Sequence, residues 1–341
     1  MSEPEQPNDH LRLRPGAVVY EISSDELQIS FPNYTVTFTS PAVTAGVLAI
    51  LAAVGSGAER SEVVPQAAAA AELDPAVIEY LVESLLSSKC LARGRLEDSG
   101  PLYEFHTYVS DSADDLADRL AAARCVLLQP AGDPGGLADA LRGLELPVDF
   151  VEAAPGAATA PILGALAEAL ESSTVLGCWN VPYRSPFARQ VNELALAGTV
   201  PVLFGSVEGV VGHVGPFVIP QNTACLECLN QRLLTHAGGP ELRAYRQYRL
   251  HNDEIVPPVW PTHPLFVRAV ANLFAVELLE VAVGRPSVTS GGFVEYRVGD
   301  AAAERHPVVR IPGCSACRPQ SPRRVAWDVR LPGPAVKDSA G

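Results

Sequence analysis

The residues whose types and spacing are most specific for chemistry are two cysteine pairs, Cys225-Leu-Glu-Cys228 and Cys314-Ser-Ala-Cys317. Two residues between cysteines let both thiolates reach one tetrahedral ion. Four thiolates close a structural zinc site, with Zn–S of about 2.3 Å and no open position for a substrate. The pairs stand 85 residues apart in the chain, so such a site staples distant segments rather than nucleating a small ribbon. The same spacing also admits a redox pair or two unrelated buried pairs. The polar, acidic start Met1–Asp9 is unlike a secretory signal and points to a reducing, cytoplasmic setting, where metal binding is the better use of paired cysteines. Structural Zn²⁺ on Cys225, Cys228, Cys314 and Cys317 is the expectation. Cys90, Cys125 and Cys178 lie in apolar runs and read as packing residues, and no base stands near Cys178 in sequence.

A second candidate is the turn Pro130-Ala-Gly132-Asp-Pro134-Gly135-Gly136. It follows a strand-like run and precedes a helical one, as a phosphate-binding loop does. Its composition argues the other way. Such a cradle needs free backbone N–H groups; Pro130 and Pro134 each remove one, and Asp133 adds repelling charge. Bound ATP is therefore not expected. Arg184, Arg189, Gln190, Asn192 and His213 show no spacing that demands catalysis, and His213, in a glycine-rich stretch, reads as a loop histidine. No catalytic residue is assigned.

These groups need elements to position them, and the chain changes grammar near residue 100. Residues 11–39 hold three strand-like runs: Leu13–Ile22, then Leu27, Ile29 and Phe31 alternating with polar residues, then Tyr34–Thr39. Asp25 and Pro32-Asn33 supply turns between them. Ser40-Pro41 starts a helix that Gly55 and Gly57 stop. A second begins at Ser61-Glu62 and runs through Ala67–Ala71, and Asp74-Pro75 caps a third with the apolar stripe Val77, Ile78, Leu81, Val82, Leu85 and Leu86. Three strands and three helices describe a winged-helix-like module over residues 1–100. From Arg124 strands and helices alternate: strands Cys125–Gln129, Val148–Val151, Thr174–Trp179 and Val200–Phe204, helices Gly136–Leu141, Ile162–Glu171 and Pro186–Ala197. That is an α/β doubly wound pattern, placed over 101–318. Residues 319–341, rich in Pro and Arg, read as an extended tail. Arg318, Arg323 and Arg324 there serve docking or are simply solvated.

Composition excludes several classes. The 341 residues carry 39 acidic and 25 basic side chains, a net charge of −14, which disfavours nucleic acid. Residues 1–100 hold 6 Lys plus Arg against 14 Asp plus Glu, so a DNA-reading winged helix would repel phosphates. The most apolar long stretch, Pro264–Val283, contains Arg268, Asn272, Glu277 and Glu280 and reads as a buried helix rather than a membrane span.

The run Gly205-Ser-Val-Glu-Gly209-Val-Val-Gly212-His-Val-Gly215-Pro216-Phe-Val-Ile-Pro220, then Thr223-Ala-Cys225-Leu-Glu-Cys228, resembles the segment leading to the first zinc pair of E1-like activating enzymes. The helix Leu265–Val283 and the pair Cys314/Cys317 fit the same family, and the match covers roughly residues 120–318. It is most similar to the E1-like (Ocin-ThiF-like) proteins that accompany YcaO-type cyclodehydratases in thiazole/oxazole-modified peptide and thiopeptide biosynthesis. Members carry an N-terminal recognition domain for RiPP precursors, ribosomally made peptides that are later modified. The resemblance implies a degenerate Rossmann-like E1 domain behind the winged-helix-like module. Adenylating relatives hold magnesium and ATP with a carboxylate where this chain has Gly177-Cys178-Trp179-Asn180-Val181, which offers none.

The resemblance therefore implies a non-catalytic partner that presents a precursor's leader peptide to a YcaO-type cyclodehydratase. It places the leader between the third strand and the third helix, here along Tyr34, Thr35, Val36, Thr37 and Phe38 and against some of Val77, Ile78, Leu81, Val82 and Leu85. An apolar stripe also builds core, so each of these side chains carries both readings. Homodimerisation is implied by analogy; a nucleic-acid or membrane partner is not. The alternative is an ATP-dependent E1-like enzyme that adenylates a peptide or carrier-protein C-terminus.

Overall fold

Short alternating runs split by tight turns favour pairing with their chain neighbours, and residues 18–39 do so. The computed structural model describes residues 9–32, 34–94, 113–132, 135–144, 146–235, 239–240, 243, 256, 259, 261–285, 287–299 and 302–317. The expected turn residue Asn33, Asp133 and Pro134 of the glycine-rich loop, and the tail with Arg318, Arg323 and Arg324 lie outside them. The chain forms two compact units: the first takes 1–124, 139–147 and 279–285, the second 125–138, 148–278 and 286–341.

The first unit contains β1 (His10–Leu13), β2 (Val18–Ser23), β3 (Glu26–Ser30), β4 (Thr35–Thr39), α1 (Pro41–Val54), β5 (Ala58–Glu59), α2 (Arg60–Ala71), α3 (Pro75–Ser87), β6 (Leu91–Arg93) and α4 (Ala113–Ala122). β2, β3 and β4 form an antiparallel meander with Leu27 opposite Phe38 and Ile29 opposite Val36. This puts the apolar residues of β3 and β4 on the core side, with Ile29 and Leu27 fully buried. The run Leu13–Ile22, expected as one strand, is two. Pro15 lacks an N–H and Gly16 takes a left-handed φ of 75°, so β1 turns away and pairs with β5 and β6 in a second three-stranded sheet. Ser40 also departs from expectation. Its side chain makes no cap bond, and its N–H donates to the Asp25 carbonyl at 2.7 Å. Asp74 does cap α3, its Oδ1 accepting from the Ala76 N–H at 2.8 Å.

The second unit is built on a seven-stranded sheet in the order β13-β12-β11-β10-β9-β7-β8. The parallel half is β7 (Cys125–Pro130), β8 (Val148–Ala153), β9 (Val175–Trp179) and β10 (Val202–Glu208). Its crossovers run through α5 (Leu137–Gly143), α6 (Thr159–Leu170) and α7 (Pro186–Gly198). Antiparallel strands β11 (Val211–Val218), β12 (Gly292–Arg297) and β13 (Ala302–Pro307) extend it, with α8 (Leu226–Thr235) and α9 (Pro264–Ala282) between β11 and β12. The doubly wound expectation therefore describes the parallel half only. β11 contains Gly212, Gly215 and Pro216, residues that normally weaken a strand reading. One glycine in β11 and one in β10 are required by close approach. A Cβ on Gly212 would lie 2.6 Å from Val270, and one on Gly205 of β10 would lie 2.5 Å from Phe274. α9 thus beds directly on strand backbone. No helix among the described residues is long and apolar enough to cross a membrane.

Candidate metal centre and strand edge

α8 starts at Leu226, so Cys225 stands at its mouth and Cys228 in its first turn. The helix start is held from below: the Leu226 N–H donates to Asn192 Oδ1 at 3.1 Å, and Asn230 Nδ2 donates to the Tyr183 carbonyl at 2.8 Å. Cys314 and Cys317 arrive from the turns after β13. The sulfur separations are 3.9 Å for Cys225–Cys228, 3.7 Å for Cys225–Cys314 and 3.5 Å for Cys228–Cys317, and all four lie within 4.8 Å of one another. Sulfurs about 2.3 Å from a central ion stand about 3.8 Å apart at the corners of a tetrahedron. A disulfide needs about 2.05 Å. The spacing is that of a shared ion, and the donor set fits a soft divalent metal.

Hydrogen bonds from the Cys225 and then the Cys317 thiol draw Cys228 far below the ordinary thiol range, and donating to Cys228 pushes Cys225 up. The Ile311 N–H adds a bond to Cys228 Sγ at 3.4 Å. Four thiolates held this close would repel one another, so a site that uses all four as thiolates needs a cation between them. Asn192, which sequence reasoning left without a role, holds the helix that carries half the site. Its signal would have been a buried amide two strands upstream of the first pair, and spacing gives no such pointer.

The second candidate is the edge of the first unit. β4 pairs only with β3 among the described residues, so its other side presents unpaired backbone. Thr35 and Thr37 point outward, Val36 is half-buried, and Phe38 is buried. Tyr34 stacks on Phe31 with ring centroids 4.6 Å apart, and its hydroxyl donates to the Lys89 carbonyl at 2.9 Å, tying the start of β4 to the end of α3. Ile78, Leu81, Val82 and Leu85 all join the core of this unit, whereas Val77 is 44% exposed. Tyr80, which the stripe did not include, is 74% exposed on the same side of α3 as Val77. Glu79 and Glu83 lie on the other flank, where Arg60 of α2 bonds both, its Nε reaching Glu79 at 2.9 Å.

The glycine-rich loop serves the fold. At Gly135, where φ is 98°, a Cβ would stand 3.2 Å from the Val267 backbone of α9, and at Gly136 one would meet the Arg268 guanidinium. At the end of β9, Asn180 takes φ 53°, donates its N–H to the Gly205 carbonyl at 2.7 Å and accepts the Val207 N–H at 3.1 Å. Asn180, within the segment Gly177–Val181, thus ties the end of β9 to β10. Cys178 is buried, and burial alone pushes its thiol above the ordinary range; Cys125 is pushed up to about 12 by the same cause. Both behave as packing residues. His213 is not in a loop. It sits in β11 opposite Glu295 of β12, with Nε2 3.4 Å from the carboxylate and its ring against Tyr183. Burial lowers its pKa, partly offset by Glu208 and Glu295. Arg189 forms an ion pair with Glu193 at 2.7 Å, and Arg184 is exposed.

No family model matches the chain, and no curated protein sequence matches it. Solved structures do share its fold. The heterocyclase TruD superposes with a TM-score of 0.68 at 18% identity over 90% of this chain and 42% of TruD. A heterocyclase in complex with substrate and cofactor gives 0.68 at 18% identity, covering 91% of this chain and 40% of its own. MccB of E. coli, the microcin C7 biosynthetic enzyme, gives 0.61 at 10% identity over 92% of this chain and 98% of MccB. The chain thus spans about two fifths of the heterocyclases and nearly all of MccB. MccB structures include complexes with ATP and with N-formylated MccA. These neighbours correct the expectation of a non-catalytic chain, because both are enzymes. The expectation rested on a proline-broken loop and a missing carboxylate. Those features bear on one way of holding ATP and say nothing about other chemistry on the same scaffold.

Proposed function

We propose that this chain is the leader-binding, E1-like part of a peptide heterocyclase, acting on a ribosomally made precursor together with a YcaO-type cyclodehydratase. The observation that carries the reading is the unpaired edge of β4 beside α3, in a chain whose fold runs along 90% of its length with a heterocyclase more than twice as long. An extended leader adds to β4 as a further strand, its backbone supplying affinity and its side chains meeting α3. In this reading residues 1–100 are the winged-helix-like recognition module, 101–318 the E1-like domain and 319–341 a tail. Zn²⁺ on Cys225, Cys228, Cys314 and Cys317 holds the E1-like domain together. Tethering the leader raises the concentration of the peptide's reacting segment near the cyclodehydratase.

Fluorescence anisotropy with a labelled leader from a neighbouring small open reading frame tests this. Saturable binding by the full chain, lost with a scrambled leader, supports it; no binding to any candidate leader overturns it. The second reading, ATP-dependent adenylation of a peptide C-terminus, is favoured by the match along 98% of MccB. ATP–pyrophosphate exchange in the presence of the precursor separates the two.

A further inference from the structure

Residues 309–311, between β13 and the second cysteine pair, each bond a segment that carries the first pair. The Val309 carbonyl accepts from Arg232 Nε of α8 at 2.8 Å, and the Ile311 N–H donates to Cys228 Sγ at 3.4 Å. Between them, Arg310 spreads its guanidinium over both halves of the cluster. Its Nη2 donates to the carbonyl of Cys317, itself one of the four cysteines, at 2.9 Å. Its Nη1 donates to the carbonyl of Gln221, shortly before Cys225 in the chain.

Gln221 is a residue that needs holding. Its φ is 66°, a left-handed conformation that a residue with a side chain keeps only where its surroundings fix it. It lies in the turn from β11 to α8, where the Ile219 N–H donates to Thr223 Oγ1 at 2.7 Å. That turn sets where Cys225 stands. On the other side, the Cys314 N–H donates to the Ile311 carbonyl at 3.0 Å and sets where the second pair begins. A planar fork with donors pointing two ways fixes one carbonyl from each side at a set separation. A single ammonium on a flexible stem does not.

We infer that Arg310 is a positioning residue for the metal centre: it holds the Cys225/Cys228 and Cys314/Cys317 segments at the separation one ion requires, although it is not itself a ligand. The inference rests on the zinc reading above and deepens it. The affinity a site shows is reduced by the fraction of molecules in which its halves are in register, so losing the fork weakens binding with all four ligands still present. Arg305 supplies the comparison. It too bonds two carbonyls, those of Val288 at 2.7 Å and Ser290 at 3.4 Å, but neither belongs to a cysteine pair.

The test uses the full chain as wild type, Arg310→Ala, Arg310→Lys and Arg305→Ala. Zinc affinity is read by competition with a chromophoric chelator, and the ligand set by the absorbance of the Co²⁺-substituted protein. Melts with and without chelator give the zinc-dependent rise in unfolding temperature. Arg310→Ala is expected to bind Zn²⁺ about 10–100-fold more weakly, as for other partners that orient metal ligands. It should keep the four-sulfur cobalt spectrum and show a smaller zinc-dependent rise. Arg310→Lys should recover only part of the affinity, and Arg305→Ala should match wild type. A loss of less than about tenfold in Arg310→Ala overturns the inference. So does an equal fall in its unfolding temperature with and without zinc, which marks a merely structural arginine. Full recovery in Arg310→Lys overturns it too, since charge without the fork would then suffice, as does an equal loss in Arg305→Ala. Should Arg310→Ala fail to fold, Arg310→Gln, which keeps one N–H donor group, carries the same readouts. A wild type that takes up no zinc sinks the zinc reading itself, an outcome distinct from a variant that binds as well as wild type.

Discussion

In the second unit four sulfurs from two distant segments are gathered within 4.8 Å and braced by Asn192 and Ile311, while in the first a strand edge is left unpaired beside a half-exposed helix flank. The first arrangement spends every donor on one small volume. The second leaves one side of β4 without a strand partner among the described residues. The contrast is between a cluster closed by its own residues and an edge left open. A closed site can be found from residue types and spacing, whereas an open one is defined by what neighbouring elements leave uncovered.

The largest effect should come from breaking the closed site. Cys314→Ser, or a strong chelator, is expected to destabilise the second unit by more than about 4 kcal/mol, because metal binding and folding free energy are one quantity in such sites. Metal content by atomic emission and thermal unfolding with and without chelator check this; a metal-free protein of unchanged stability would collapse the contrast. Next comes the bed of α9. Phe274→Ala should cost roughly 3–5 kcal/mol, and Gly205→Ala about 1–3 kcal/mol as Phe274 is pushed off strand backbone, measured by urea unfolding.

The open edge separates two neighbouring residues. Ile78→Ala should cost roughly 2–5 kcal/mol as a core truncation. Tyr80→Ala should change stability by less than about 0.5 kcal/mol and yet weaken leader binding several-fold. Equal leader affinity for Tyr80→Ala and wild type would remove α3 from recognition. The smallest effect is a pH dependence. Burial lowers the pKa of His213 in the folded state, so its neutral form contributes stability above the unfolded value near 6.5 that is lost as pH falls through that value toward the lowered one. His213→Gln should flatten that part of the stability curve, measured by unfolding between pH 5 and 8.

What was legible in the chain follows the same division. Asp74 signals its helix chemically and caps it; Ser185, which the sequence pattern did not single out, also caps its helix, accepting the Ala188 N–H at 3.1 Å. The cysteine pairs meet as their spacing requires. Ser40 shows the limit, since the same residue type before a proline is satisfied through its backbone instead. β11, β12 and β13 escaped because their pattern mixes glycine, histidine and charge. Their stability comes from pairing and from α9 lying on their backbone, which no local window records. Tyr80 escaped because a stripe identifies the side of α3 that is buried, and Tyr80 stands on the side that is not.

The 85 residues between Cys228 and Cys314 also set a timetable for synthesis. At about 5–20 residues per second, the second pair leaves the ribosome roughly 4–17 s after the first. During that interval Cys225 and Cys228 are a lone dithiol, open to oxidants and competing ions, with α8 formed around an incomplete centre. The sheet strands β12 and β13 emerge in the same interval, so the final clasp is fastened only after the last strands have been delivered.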